Sequence, residues 1–316
     1  MKQFLSVHDV PNISQLVKSA LDLKKNPFAH KELGRNKTIG LIFLNPSLRT
    51  RLSTEKAAKN LGMEVMSMNF GTDGWGLETA MGTVMNGKAG EHIKEAAAVV
   101  GQYCDIIGVR SFPGLKDREL DYAEAIVKDF VKYSGKPVVS LESSTLHPLQ
   151  SLADTVTIEE RKKKNKPRVV LTWAPHIKAL PQAVPNSFAQ WMSANDEIDF
   201  VITHPKGYEL DTQFTVSTPI IYDQDEALAG ADFVYAKNWS SYADYGKILS
   251  EDKSWMITAD KMKLTDNGGF MHCLPVRRNI IVADEVLDSS SSLVINQAGN
   301  REFAAQAVLK SMLENN

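Results

Sequence analysis

Between Ser47 and Arg51 the chain places two hydroxyls and two guanidinium groups (Ser47, Arg49, Thr50 and Arg51) behind the apolar run 39–44 and the dipeptide Asn45-Pro46. A β-type run ending in Asn-Pro and followed by a helical pattern over 47–61 predicts a strand that leads into a helix N-terminus. Free backbone N–H groups and the helix dipole favour an anion there, and arginine adds paired charge-assisted hydrogen bonds. Cationic side chains in a first turn oppose the dipole, so a bound phosphate or carboxylate would account for them. A Ser N-cap with arginines on a solvated turn is the plainer alternative.

Two more groups have comparable chemistry. His147-Pro148-Leu149-Gln150 follows a strand-like 137–141 and the polar turn Glu142-Ser143-Ser144-Thr145, and Arg110 ends the run 105–109. In an open parallel sheet ligands bind beyond the carboxyl ends of the strands, so Arg49, Arg110 and His147 are expected at one crevice. A His-Pro pair at a helix start also suits a structural histidine. The third group, His272-Cys273-Leu274-Pro275-Val276-Arg277-Arg278, follows the strand-like 268–271. Cys273 beside His272 suggests an activated thiolate, but neighbours on an extended segment point to opposite faces, so His272 is not expected to activate it.

These residues need a scaffold, and the chain spells one out. Apolar runs near 38–44, 63–68, 104–109 and 137–141 alternate with helical patterns near 11–24, 48–61, 91–101 and 118–134. A long helix over 149–160 leads to a second series of strands near 168–173, 198–203, 232–236 and 268–272, with a helix around 182–194. Such alternation predicts α/β architecture: two doubly wound domains with parallel sheets, joined by helices that include a C-terminal crossing helix. The expected domains are 1–150 with the helix 293–316, and 151–292. A chain of 316 residues exceeds what one core serves, which agrees with two domains. The basic stretch 161–166 before Pro167 reads as solvated surface at the domain boundary. A net charge of -2 gives no electrostatic case for nucleic acid. No run approaches 18 apolar residues, so no membrane segment is expected. Two cysteines outside any C-x-x-C or metal spacing fit a reducing, cytoplasmic setting. No G-x-G-x-x-G follows the first strand, which argues against a dinucleotide enzyme.

Taken in order, S-x-R-T-R at 47–51, Arg110, H-P-x-Q at 147–150, H-C-L-P at 272–275 and Asn300-Arg301 resemble the aspartate/ornithine carbamoyltransferase family over the whole chain. The resemblance implies a first domain for carbamoyl phosphate, a second for an amine-bearing amino acid, and homotrimers with active sites between subunits. Ser47, Leu48, Arg49, Thr50 and Arg301 would hold the phosphate. Thr50, Arg110 and His147 would aim donors at the carbamoyl oxygen, and Gln150 would bind the amide nitrogen. The carbonyls of Cys273 and Leu274 would orient the amine, making Cys273 a positioning residue of the catalytic group. The glycine-rich 71–76 would be a mobile loop whose Trp75 covers the phosphate. The leaving phosphate can take the amine proton, so neither cofactor nor metal is implied.

The amine half departs from the ornithine enzymes. Where those carry an Asp and a Ser-Met-Gly grip for a free α-ammonium, this chain reads Tyr235-Ala236-Lys237-Asn238-Trp239. A lysine repels an ammonium and suits an acyl group, as in the acylornithine branch of the family. The expected reaction is carbamoyl transfer to N-succinyl-L-ornithine, giving N-succinyl-L-citrulline and phosphate for arginine synthesis. His176, Lys237, Arg277 and Arg278 are candidate partners of the extra carboxylate, and Glu142 contacts the substrate or orients a neighbour. In acetyl-specific relatives a glutamate aligns with Gly90, so Gly90 is expected to remove a repelling charge and leave room for the longer acyl chain. An acetylornithine substrate and a non-catalytic phosphate-binding protein of the same fold are the alternatives.

Overall fold

The computed structural model describes residues 1–70 and 73–314. The strands are β1 (Gln3–Phe4), β2 (Thr38–Phe43), β3 (Glu64–Asn69), β4 (Leu77–Glu78), β5 (Glu91–His92), β6 (Ile106–Arg110), β7 (Val138–Glu142), β8 (Arg168–Trp173), β9 (Asp199–Thr203), β10 (Phe233–Lys237) and β11 (Gly269–Met271). One parallel sheet runs β1-β7-β6-β2-β3, a second β11-β10-β8-β9, and β4 pairs with β5 alone.

Strands β6, β7 and β10 are buried along their whole length and β2 and β8 after their first residue. Continuous apolar strands of this kind are those of parallel sheets covered by helices on both faces, as the sequence pattern predicts. β3 alternates exposed with half-buried residues, in keeping with its place at a sheet edge. Gly40 in β2 is required by close packing: a Cβ there would lie 2.6 Å from the Cys104 sulfur.

Two compact units result, Met1–Leu149 with Arg301–Asn316, and Gln150–Asn300. Both boundaries fall inside helices, Pro148–Arg161 and Val294–Leu313. Gln150 therefore opens the second unit, and the C-terminal helix is divided between the two at Asn300.

The helix expected over 118–134 is broken into Arg118–Tyr122 and Ala125–Tyr133. Glu124 adopts a left-handed backbone, φ 54°, at the break. Its carboxylate accepts from Ser143 Oγ (2.6 Å), Ser144 N (3.2 Å), Thr145 N (2.6 Å) and Thr145 Oγ1. A non-glycine residue in that region costs about 1–2 kcal/mol, and charge-assisted bonds to the turn before His147 offset it.

Candidate active site

Each unit carries one group of the expected side chains. In the first unit Ser47 caps the Leu48–Asn60 helix by accepting from Thr50 N at 3.4 Å. Asn45 Oδ1 accepts from Phe112 N at 2.7 Å, tying the β2 end to the segment after β6. Buried Thr50 accepts from Arg301 Nη2 at 2.6 Å, and Arg110 Nη1 lies 3.5 Å from the same oxygen. Arg110 also pairs with Glu142 and rests over the Phe112 ring, 4.4 Å from its centroid.

His147 is buried, with Nε2 3.4 Å from Glu142. Burial above all, and then the charges of Arg301, Arg110 and Arg49, hold its imidazole well below the ordinary 6.5. It is therefore neutral near pH 7, and it can donate a hydrogen bond without adding a charge. Its Nδ1 and the Nε of Arg110 are buried with no hydrogen-bond partner among the described residues. Buried polar atoms are nearly always paired, so these mark places for a ligand. Three guanidinium groups and one carboxylate around Thr50 leave an excess of positive charge suited to a phosphate.

Not every expected residue joins this group. Arg51 instead pairs with Glu55 on its own helix at 2.9 Å. The Leu48 side chain is 70% exposed. Trp75 is 59% exposed, and its Nε1 donates to Glu91 at 2.9 Å. Gly90 does not open the space expected of it, because the Trp75 ring fills it: a Cβ at position 90 would meet Trp75 Cγ at 2.8 Å. Gly71 and Thr72 of the glycine-rich segment lie outside the described residues.

The second unit holds Gln150 and the H-C-L-P segment. Gln150 Nε2 donates to Asp154 at 2.7 Å, as does Gln297 Nε2 at 2.6 Å, and Gln297 Oε1 accepts from His272 N at 2.9 Å. His272 Nδ1 accepts from Leu274 N at 2.9 Å, so the ring supports its own turn instead of serving as a base for Cys273. Leu274, φ 56°, precedes a cis peptide bond to Pro275.

At the end of β10, buried Lys237 donates to Asn238 O at 3.1 Å. Arg277 Nε donates to His176 Nε2 at 3.1 Å, and His176 Nδ1 lies 3.0 Å from both Lys178 N and Lys178 O. Burial, then the nearby Lys237, Arg277 and Lys178 charges, depress His176 against the opposing Lys178 carbonyl. Lys237 and Arg277 thus form a cationic pair about a neutral imidazole. Arg278 is withdrawn from that set: it bonds Asp284 (2.8 Å) and Asp288 (2.6 Å), and its charge is spent on those carboxylates. Among the described residues no group of three or more His, Cys, Asp or Glu is placed to hold a metal ion.

Asp154, Gln297 and Glu124 were missed in the sequence. Asp154 carries a weak signal, four residues after Gln150 on one helix, the spacing at which helical side chains meet.

Residues 2–160 match the family described as aspartate/ornithine carbamoyltransferase, carbamoyl-P binding domain, and residues 183–312 match its Asp/Orn binding domain. The chain belongs to the aspartate/ornithine carbamoyltransferase family. Within this family it is 54% identical over 316 residues to the N-succinylornithine carbamoyltransferase of Bacteroides thetaiotaomicron, covering 99% of each chain. It is 36% identical to the N-acetylornithine carbamoyltransferase of Xanthomonas axonopodis pv. citri, with 99% of this chain and 96% of the relative covered. A crystal structure of a mutant N-acetyl-L-ornithine transcarbamylase complexed with carbamyl phosphate and N-succinyl-L-norvaline superposes with a TM-score of 0.91. That protein is 35% identical, with 99% of this chain and 100% of the other covered. No helix among the described residues is long and apolar enough to cross a membrane.

Proposed function

We propose that this carbamoyltransferase moves the carbamoyl group of carbamoyl phosphate to the side-chain amine of N-succinyl-L-ornithine, giving N-succinyl-L-citrulline and phosphate in arginine biosynthesis. The observation that carries the transfer chemistry is the convergence of Arg49, Arg110 and Arg301 with a buried, neutral His147 around Thr50. Ser47, Arg49, Thr50, Arg301 and the Leu48 backbone hold the phosphate. Thr50, Arg110 and His147 face the carbamoyl oxygen, while Gln150 accepts from the amide nitrogen. The neutral amine, oriented by the carbonyls of Cys273 and Leu274, attacks the carbon, and negative charge builds on the oxygen. The bond to the phosphate oxygen then breaks, and the departing phosphate takes the amine proton. Losing one preplaced donor to such an oxygen typically costs ~100- to 1000-fold in rate.

Lys237 and Arg277 beside His176 support a substrate with an added carboxylate, and the 54% identity to a succinylornithine enzyme supports the same choice. Side-by-side assays of ornithine, N-acetylornithine, N-succinylornithine and aspartate test it, with succinylornithine expected to be the preferred acceptor. Preference for acetylornithine overturns the acyl assignment, and equal use of free ornithine overturns the blocked-amine reading. No turnover of any amine despite carbamoyl phosphate binding leaves a phosphate-binding protein.

The active assembly is a homotrimer with sites at subunit interfaces. Its support here is the apolar surface of the first unit, where Leu48, Leu52, Met66, Met68, Met81, Val84 and Met85 are exposed. Sedimentation at three times the 35.0 kDa chain mass is the expected result. Cys104 and Cys273 are buried and joined in no disulfide, which supports a cytoplasmic setting.

A further inference from the structure

Asp154 is fully buried in the second unit, where its Oδ1 receives the side-chain N–H groups of both Gln150 and Gln297. A carboxylate oxygen bonded by two N–H groups accepts from both, whereas a primary amide has a donating and an accepting end. Each glutamine must therefore turn its nitrogen to Asp154 and its carbonyl oxygen elsewhere. For Gln297 the consequence is visible: Oε1 accepts from His272 N. His272 in turn receives Leu274 N on Nδ1, so the run from Asp154 to Leu274 is continuous. The Tyr235 hydroxyl lies near the same group, since burial, then Asp154 and Cys273, raise it well above its ordinary value.

We infer that Asp154 is a positioning residue for carbamoyl transfer: it dictates which end of the Gln150 amide is offered to substrate and holds the His272–Leu274 segment through Gln297. The inference rests on the proposed function. A carbamoyl NH2 donates, so it needs the oxygen of Gln150, and Asp154 makes that orientation obligatory. The same carboxylate registers the segment whose carbonyls orient the attacking amine. A neutral residue here would permit either amide orientation, since it could both give and take a hydrogen bond.

The full-length variants Asp154→Asn, Gln150→Ala and the double substitution test this, with affinities for inorganic phosphate and carbamoyl phosphate measured beside steady-state kinetics. The Asn variant keeps the shape and loses the enforced orientation. Its preference for carbamoyl phosphate over phosphate is expected to fall about tenfold, the upper end of what one neutral amide hydrogen bond contributes. Phosphate affinity should stay within about twofold, because that ligand does not use the amide, and kcat/KM for carbamoyl phosphate should fall in parallel. In the double variant the losses should be far from additive, as for residues acting through one contact. Additive losses, an unchanged preference, or equal weakening of both ligands overturns the inference. If Asp154→Asn does not fold, nitrogen-15 NMR of the wild type decides. The Gln150 side-chain amide, assigned by its disappearance in Gln150→Ala, should resist hydrogen exchange; rapid exchange refutes the bond. A wild type that prefers carbamoyl phosphate and turns over succinylornithine, with the variant unaffected, refutes the inference alone. A wild type that does neither refutes the function and the inference together.

Discussion

Replacing Glu142 with Gln asks whether its buried carboxylate orients the donors or grips the amine substrate. Glu142 is 6% exposed, pairs with Arg110 Nη1 and lies 3.4 Å from His147 Nε2. Gln keeps the length and one oxygen but removes the charge that fixes the Arg110 fork. A hydrogen bond to a charged group contributes roughly 1.5–3 kcal/mol, which converts to roughly 10- to 150-fold in rate at about 1.4 kcal/mol per decade. That loss should fall on kcat and on kcat/KM for carbamoyl phosphate, because Arg110 and His147 face the carbamoyl oxygen in the proposed geometry. The KM for succinylornithine should stay within about threefold, a shift below about 0.7 kcal/mol. Initial rates measured with each substrate varied at saturation of the other separate these parameters. A KM for succinylornithine raised tenfold or more, with carbamoyl phosphate parameters intact, would falsify the orienting role and make Glu142 a substrate contact.

Three other outcomes follow from the geometry. Thr50→Val removes the oxygen that accepts from Arg301 at 2.6 Å; at about 1–3 kcal/mol for a lost buried partner, calorimetry should record a carbamoyl phosphate affinity roughly 5- to 150-fold weaker, and unchanged affinity would remove Thr50 from the site. Gly90→Ala drives a Cβ against Trp75, so the exposed indole must shift, and the acrylamide-quenchable part of the fluorescence, which comes from Trp75 and half-buried Trp255 because Trp173, Trp191 and Trp239 are fully buried, should change; an identical quenching curve counts against the contact. Burial depresses both His147 and His204 below 6.5 in the folded state, so the unfolded chain binds more protons below that value. Stability is then full above about pH 6.5 and falls as pH drops toward the folded values, by at most about 1.4 kcal/mol per pH unit for each histidine. Denaturant titrations of His147→Gln should show a shallower decline on the acid side, and an unaltered slope would mean that His147 is charged when folded.

What could be read from the chain depended on how far apart the determining residues lie. Strands β2, β6, β8 and β10 are largely apolar runs, and burial on two faces leaves them little choice but a covered parallel sheet. The Ser47–Thr50 cap is equally local, being formed within four residues of a strand end. Arg278 differs from its expected role because Asp284 and Asp288, six and ten residues on, pair with it across a short turn that the run of like charges does not reveal. Glu124 lay beyond local reasoning: an isolated glutamate favours the helix continuing through it, and only the turn at 143–145, about twenty residues on, draws it into a left-handed break. Asp154 shows the limit most clearly. Its spacing to Gln150 is visible in the chain, yet its meaning depends on Gln297, 143 residues away. With one glutamine it would be an ordinary i, i+4 contact; with two it becomes an acceptor that fixes the direction of both amides. Local sequence thus names the groups proposed to meet substrate, while the side chains that decide how those groups face are selected by tertiary neighbours.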